Sequence, residues 1–256
     1  MRIIAVVSVV AMALAAGTIS STARAETISV AYEYVEAGGT LAGVVNGHDY
    51  TDPNSADGVM KMATSNPDGS LASQVPSDAW AVCLELGQYT NYPLNTYQVQ
   101  ALSDALDADR ANLIGQLWAQ HYDDSWQTST PIYYGGSGHP GFLDGWNANP
   151  TENQNALALT YAVYAVRYNF DGTAPSLTVS NGALPFSMPA DSNPETIALV
   201  NTWLGALNLN YSGDLPNLVA LTSETMQDVI VEVPEPATMA FLALGSIGLL
   251  ARRRRK

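Results

Sequence analysis

Apolar and polar residues alternate from Ile28 to Tyr34 (Ile-Ser-Val-Ala-Tyr-Glu-Tyr), a two-residue period that predicts a strand. Leu41 to Val45 is a second, shorter candidate. Residues 46 to 78 are rich in Asn, Asp, Ser, Gly and Pro and read as loop. Trp80 to Leu86 predicts a strand that carries the only cysteine, Cys83. From Tyr97 to Tyr122 the apolar positions Val99, Leu102, Leu106, Leu113, Ile114, Leu117 and Trp118 recur at helical spacing, and Asp107 to Asp109 break the run into two helices. Asp123 to Pro150 reads as loop. Asn155 to Tyr168 predicts a buried helix with Ala156, Leu159, Ala162, Val163 and Val166 on one face. Ser192 to Leu209 predicts another. There Ser192 with Glu195 forms a capping box, Pro194 suits the first turn, and Ile197, Val200, Leu204 and Leu207 form the stripe. Leu215 to Leu221 and Val229 to Val233 are late strand candidates. Three to four helices mixed with strands in no regular order predict a single α+β domain.

The two ends break this pattern. Met1-Arg2, an apolar run from Ile3 to Gly17, and Ala23-Arg24-Ala25 form a secretory signal peptide over residues 1–25, with cleavage before Glu26. At the other end, Pro234-Glu235-Pro236 precedes an apolar run from Ala237 to Ala251, and Arg252, Arg253, Arg254, Arg255 and Lys256 close the chain. The run is 15 residues, short of the roughly 20 that a full span uses, and the basic cluster stays cytoplasmic by the positive-inside bias. Pro-Glu-Pro, a short apolar helix and an Arg-rich end resemble the PEP-CTERM sorting signal of Gram-negative bacteria. The resemblance implies a transmembrane segment and processing near Pro234-Glu235-Pro236 by an exosortase, a membrane transpeptidase-like protease. It also implies a membrane-anchored precursor that ends at the cell surface or outside it, in company with polysaccharide and biofilm matrix. The chain then divides into 1–25, an N-terminal strand-and-loop stretch 26–79, an α+β stretch 80–233 and the sorting segment 234–256.

Composition sharpens this picture. The chain has 10 Lys and Arg against 24 Asp and Glu, a formal net charge of -14. A pI near 4.3 leaves too few clustered cations for nucleic acid or an anionic membrane face. One Cys excludes a disulfide framework. His48, His121 and His139 stand at no metal-ligand spacing, and Gly136 to Gly141 matches Gly-x-Gly-x-x-Gly without the strand and helix that motif needs. Acids among Asp49, Asp52 and Asp57 suggest weak Ca²⁺ binding at most, and no other cofactor is expected.

Cys83-Leu84-Glu85-Leu86, the later Leu159-Thr160-Tyr161-Ala162-Val163-Tyr164 and the closing Met226-Gln227-Asp228 resemble, in that order, PEP-CTERM proteins with a thioester domain. In that family a strand Cys attacks a helix Gln carboxamide, releases ammonia and forms an electrophilic thioester. The resemblance places Cys83 on the family Cys and Ala162, Val163 and Tyr164 on its Ala-Ile-Trp positions. Thr160 stands where the family has Gln and has no carboxamide to offer; Gln154 lies six residues upstream. The implied domain is thioester-like with the bond lost. Two further readings stay open. Trp126, Tyr133, Tyr134 and Trp146 form an aromatic loop suited to stacking on polysaccharide. Asp123, Asp124 and Glu85 could supply the paired carboxylates of a glycan hydrolase. The favoured expectation is an exported, acidic, non-enzymatic surface or matrix protein.

Overall fold

The computed structural model describes residues 25–41, 44–46, 48–49, 52–86, 88, 94–128, 150–173, 177–179, 184–188 and 193–234. Six antiparallel strands close into a barrel in the order β1 (Glu26–Leu41), β4 (Asp52–Asp68), β5 (Asp78–Cys83), β9 (Val229–Glu232), β8 (Leu218–Thr222) and β6 (Asn95–Ala101). Short β2 (Val44–Val45), β3 (His48–Asp49) and β7 (Phe186–Ser187) form a separate three-stranded sheet. The barrel draws strands from both sides of the boundary expected at residue 79, so 26–79 and 80–233 share one core. The α+β expectation holds at the level of mixed helices and sheet; the barrel itself was not foreseen.

Alternation sets the barrel interior. Ile28, Val30 and Tyr32 on β1 are buried while the odd-numbered positions between them are partly exposed. Register carries that face around the barrel: Ile28 lies opposite Tyr97, Val99 opposite Leu221, Val229 opposite Cys83, and Ala81 opposite both Val231 and Met60. A barrel this narrow is filled by its own side chains and forms no pore.

Two strands correct the sequence reading. β4 occupies most of the stretch read as loop, because Met60 and Met62 point inward and pair with β5 and β1, and that tertiary pairing overrides the turn-forming residues before them. Tyr97 and Val99 belong to β6, not to a helix; Thr96 before them and Gln98 between them are exposed, a two-residue period hidden by the helical run that follows. That run forms α1 (Leu102–Ala105) and α2 (Ala108–His121), separated where Asp107 caps α2 by accepting from Arg110 N–H at 2.8 Å.

The helices cover the barrel. α3 (Pro150–Asn169) is buried on every side from Ala158 to Val166 and packs on β1, β4, α2 and α4 (Pro194–Gly205). Its C-terminal carbonyls are satisfied by Arg110, whose guanidinium donates to Arg167 O at 3.1 Å and Phe170 O at 2.7 Å. α4 starts with Pro194 in its first turn, as expected. Its cap is Asn193, which accepts from Glu195 N–H at 2.9 Å, and Ser192 lies outside the described residues. At the barrel's N-terminal edge Glu26 accepts from the N–H groups of Leu71 and Ala72 at 2.6 and 2.9 Å, which holds its carboxyl below the usual range. Gly69 at φ +126° makes room for it: a Cβ there would sit 2.4 Å from Glu26 Cδ.

Candidate functional site

Where β5 ends and β9 begins, the barrel mouth meets the C-terminal turn of α3. Leu84 N–H donates to Asp228 O at 2.8 Å, which carries the sheet pairing one step past Cys83. The Gln227 side-chain amide donates to Glu85 O at 2.7 Å and to the Tyr164 hydroxyl at 3.5 Å, and Leu86 N–H donates to the Tyr168 hydroxyl at 3.2 Å. α3 therefore presents Tyr164, Arg167 and Tyr168 to this mouth at helical spacing. Arg167 lies between two carboxylates, 3.1 Å from Glu85 Oε2 and 3.5 Å from Asp228 Oδ2. The side chains of Arg167, Glu85 and Asp228 are only 21%, 14% and 14% exposed.

Burial governs the titration here. It pushes the Glu85 carboxyl up, the Asp228 charge pushes the same way, and Arg167 only partly offsets them. Burial also raises Asp228, against the Ser223 N–H bond and Arg167. Tyr97, which faces the same mouth, is pushed far up by burial and by the nearby Cys83, Asp228 and Glu85. Glu85 Oε1 is buried with no hydrogen-bond donor among the described residues. One guanidinium serves two carboxylates, and burial favours the protonated form of both. An open groove of about 560 Å³ adjoins it, lined by Thr27, Thr96, Gln98, Thr222 and Asp228 among others.

The sequence-derived candidates fall as follows. Cys83 is buried on the inner face of β5 with Sγ 3.7 Å from Met60 Sδ. The Thr160 hydroxyl donates back to Ala156 O at 3.1 Å, and Gln154 Nε2 contacts Thr196 Oγ1 on α4 at 3.4 Å. Gln154 is thus directed to α4, and Cys83 to the barrel lumen. Trp126 is 2% exposed and packs edge-on against Tyr122, so the stacking surface expected of it is already used inside the protein. Tyr133, Tyr134, Trp146, His139 and the Gly136–Gly141 turn lie outside the described residues. Asp49 and Asp52 lie on β3 and β4 rather than in a loop.

Asp123 and Asp124 are exposed at the opposite end of the barrel from Glu85. Asp124 lines a groove of about 400 Å³ with Asp78, Trp80, Glu232 and Pro234, and β5 runs about 17 Å from Asp78 to Cys83. Glu85 therefore does not pair with either aspartate, since glycoside hydrolysis uses carboxyls within about 10 Å of each other. Sequence reasoning missed Arg167, and it gave Gln227 no role beyond its place in the closing Met226-Gln227-Asp228. The signal for Arg167 was present: a single cation at the end of an apolar helix, in a chain with few cations.

The far groove leads to the end of the barrel. Glu232 closes β9, its Oε2 accepts from Trp118 Nε1 at 2.8 Å, Val233 is buried with its N–H on Asn217 O at 2.9 Å, and Pro234 is exposed. Residues 232–256 match the PEP-CTERM protein-sorting motif. The chain carries a PEP-CTERM sorting signal. No curated protein and no solved structure matches the chain. The PEP-CTERM motif implies an exported protein, held first as a membrane-anchored precursor and processed by an exosortase for the cell surface. Of its expected processing residues Pro234 lies at the rim of the far groove; Glu235, Pro236, Arg252, Arg253, Arg254 and Arg255 lie outside the described residues, as does the signal peptide. Among the described residues no helix is long and apolar enough to cross a membrane.

Proposed function

We propose that the mature chain is a non-enzymatic surface or matrix protein retained with extracellular polysaccharide after exosortase processing near Pro234-Glu235-Pro236. The observation that carries this reading is the sorting motif beginning on the last barrel strand. The interior supports a binding or structural role. Cys83 packs against Met60, Thr160 bonds its own helix, and Arg167 ties Glu85 to Asp228, so these groups serve the fold. The thioester-like reading enters in the same form, as a domain of that kind with its reactive bond lost.

Charge indicates how retention works. Outside the two end segments only Lys61, Arg110 and Arg167 are basic. Each is already paired, Lys61 with Glu33 and Asp78, Arg110 with Asp107, and Arg167 as above. An anionic polysaccharide then meets an anionic protein, and Ca²⁺ bridging is the attraction left between them. Cell fractionation tests this. Cells with a working exosortase should yield a chain ending near Pro234–Pro236 in the polysaccharide fraction, and a chelator should release it. A processed chain found free in the medium at millimolar Ca²⁺ overturns the reading.

A second reading has one observation in its favour, the hydroxyl- and amide-lined groove beside the barrel mouth, which suits direct glycan hydrogen bonding. Replacing the exposed Thr96 and Gln98 with Ala should then abolish polysaccharide pull-down; unchanged retention removes this reading.

A further inference from the structure

The folded barrel and the processing site are almost contiguous. Val233 is buried and hydrogen-bonded to Asn217, and the apolar membrane run starts at Ala237. Four chain steps separate them, at most about 14 Å when fully extended. The apolar run adds to the constraint. Its 15 residues would rise only about 22 Å as a helix against a hydrocarbon core of about 30 Å, so the barrel has no slack to retreat from the membrane. A protease cleft that holds Pro234-Glu235-Pro236 needs walls, and a single helix is already about 10–12 Å across. The enzyme therefore meets the barrel end while it holds the motif.

That end is the far groove, whose rim includes Pro234 itself. Its lining includes the partly exposed Trp80 and Tyr122 and the buried Trp118, and it carries Asp78, Asp124 and Glu232; a second groove of about 510 Å³ continues it past Asp214. Among the described residues Lys61 is the one cation bonded to this acidic set, through Asp78 at 3.7 Å. We infer that this acidic, aromatic-walled barrel end is a docking surface for the exosortase, which meets it with a cationic outer surface beside its cleft. Sorting then reads a folded barrel end together with the tripeptide. The inference rests on the exosortase reading above and names the surface that reading leaves open.

Pulse-chase of the full precursor in exosortase-bearing cells tests it. Asp124→Lys with Asp214→Lys changes the sign of two exposed charges that lie outside the barrel strands. Processing should slow about tenfold, the scale on which reversed rim charges act on association. Asp124→Asn with Asp214→Asn should fall between the two and guards against a misfolded double lysine variant. Inserting twelve Gly and Ser residues between Val233 and Pro234 should make processing insensitive to the charge reversal, because the cleft then no longer meets the barrel. Wild-type processing rates in both charge variants, without the insert, overturn the docking surface. Failure of the wild-type precursor to be cleaved overturns the exosortase reading instead.

Discussion

Arg167 carries the charge balance at the barrel mouth, and its removal is the sharpest single-residue test of the fold. Glu85 and Asp228 would be left half-buried side by side, and breaking a buried pair from one side costs about 3–5 kcal/mol. Arg167→Met should show a loss of that order by urea unfolding at pH 7. Both carboxyls already have raised pKa values in the native protein, so the native state binds more protons than the unfolded chain just above the usual carboxylate range. Their contribution is therefore present at low pH and is lost as pH rises through that window. Without Arg167 the window extends upward, and the gap between variant and parent should narrow at pH 5. A constant gap would mean the two acids are not coupled to Arg167. Cys83 gives a second test. Its thiol is buried against Met60, so it should resist alkylation until the protein is unfolded, and the intact mass should show no loss of ammonia. A deficit of one ammonia would instead identify a thioester and would restore Cys83 as a reactive centre.

At the scale of elements, legibility followed local chemistry. Ile28–Tyr34, Trp80–Leu86, Asn155–Tyr168 and the late strands were readable because each carries its own period or apolar run. β4 was not, because residues 52–58 have turn chemistry and the strand exists through its pairing with β1. β6 was absorbed into the helix after it for lack of any breaker before Leu102. The barrel closure between β1 and β6 is a pairing of segments about seventy residues apart, and no local signal encodes it. The site divided in the same way. Cys83 and Glu85 were singled out from the sequence, but Arg167 and Gln227 reach them only through the fold. The α4 cap shows a one-position error of this kind with a direct test. Asn193→Ala should cost about 1 kcal/mol in chemical unfolding, because it orphans Glu195 N–H. An equal loss from Ser192→Ala would return the cap to the capping box expected from sequence.

At the scale of the whole molecule, the stretch between the two end segments is more acidic than the intact chain. Between Glu26 and Pro234 there are three basic residues and 23 acids, a net charge of -20 compared with -14 for the full sequence. β1 begins at Glu26 and β9 ends at Glu232, so the barrel reaches from the expected leader cut to the sorting motif. All three cations are already held in ion pairs. Salt therefore has few attractions to weaken and many repulsions to relieve, over a screening length of about 10 Å at 0.1 M. Raising NaCl from 10 mM to 0.5 M should stabilise the mature domain by about 1–2 kcal/mol, seen as a rise of about 3–6 °C in Tm. Ca²⁺ should achieve the same rise at far lower concentration, since each ion neutralises two carboxylates and meets no competing surface cation. A fall in Tm with NaCl would mean that the three ion pairs outweigh the repulsion, and the electrostatic basis of Ca²⁺-bridged retention would fall with it.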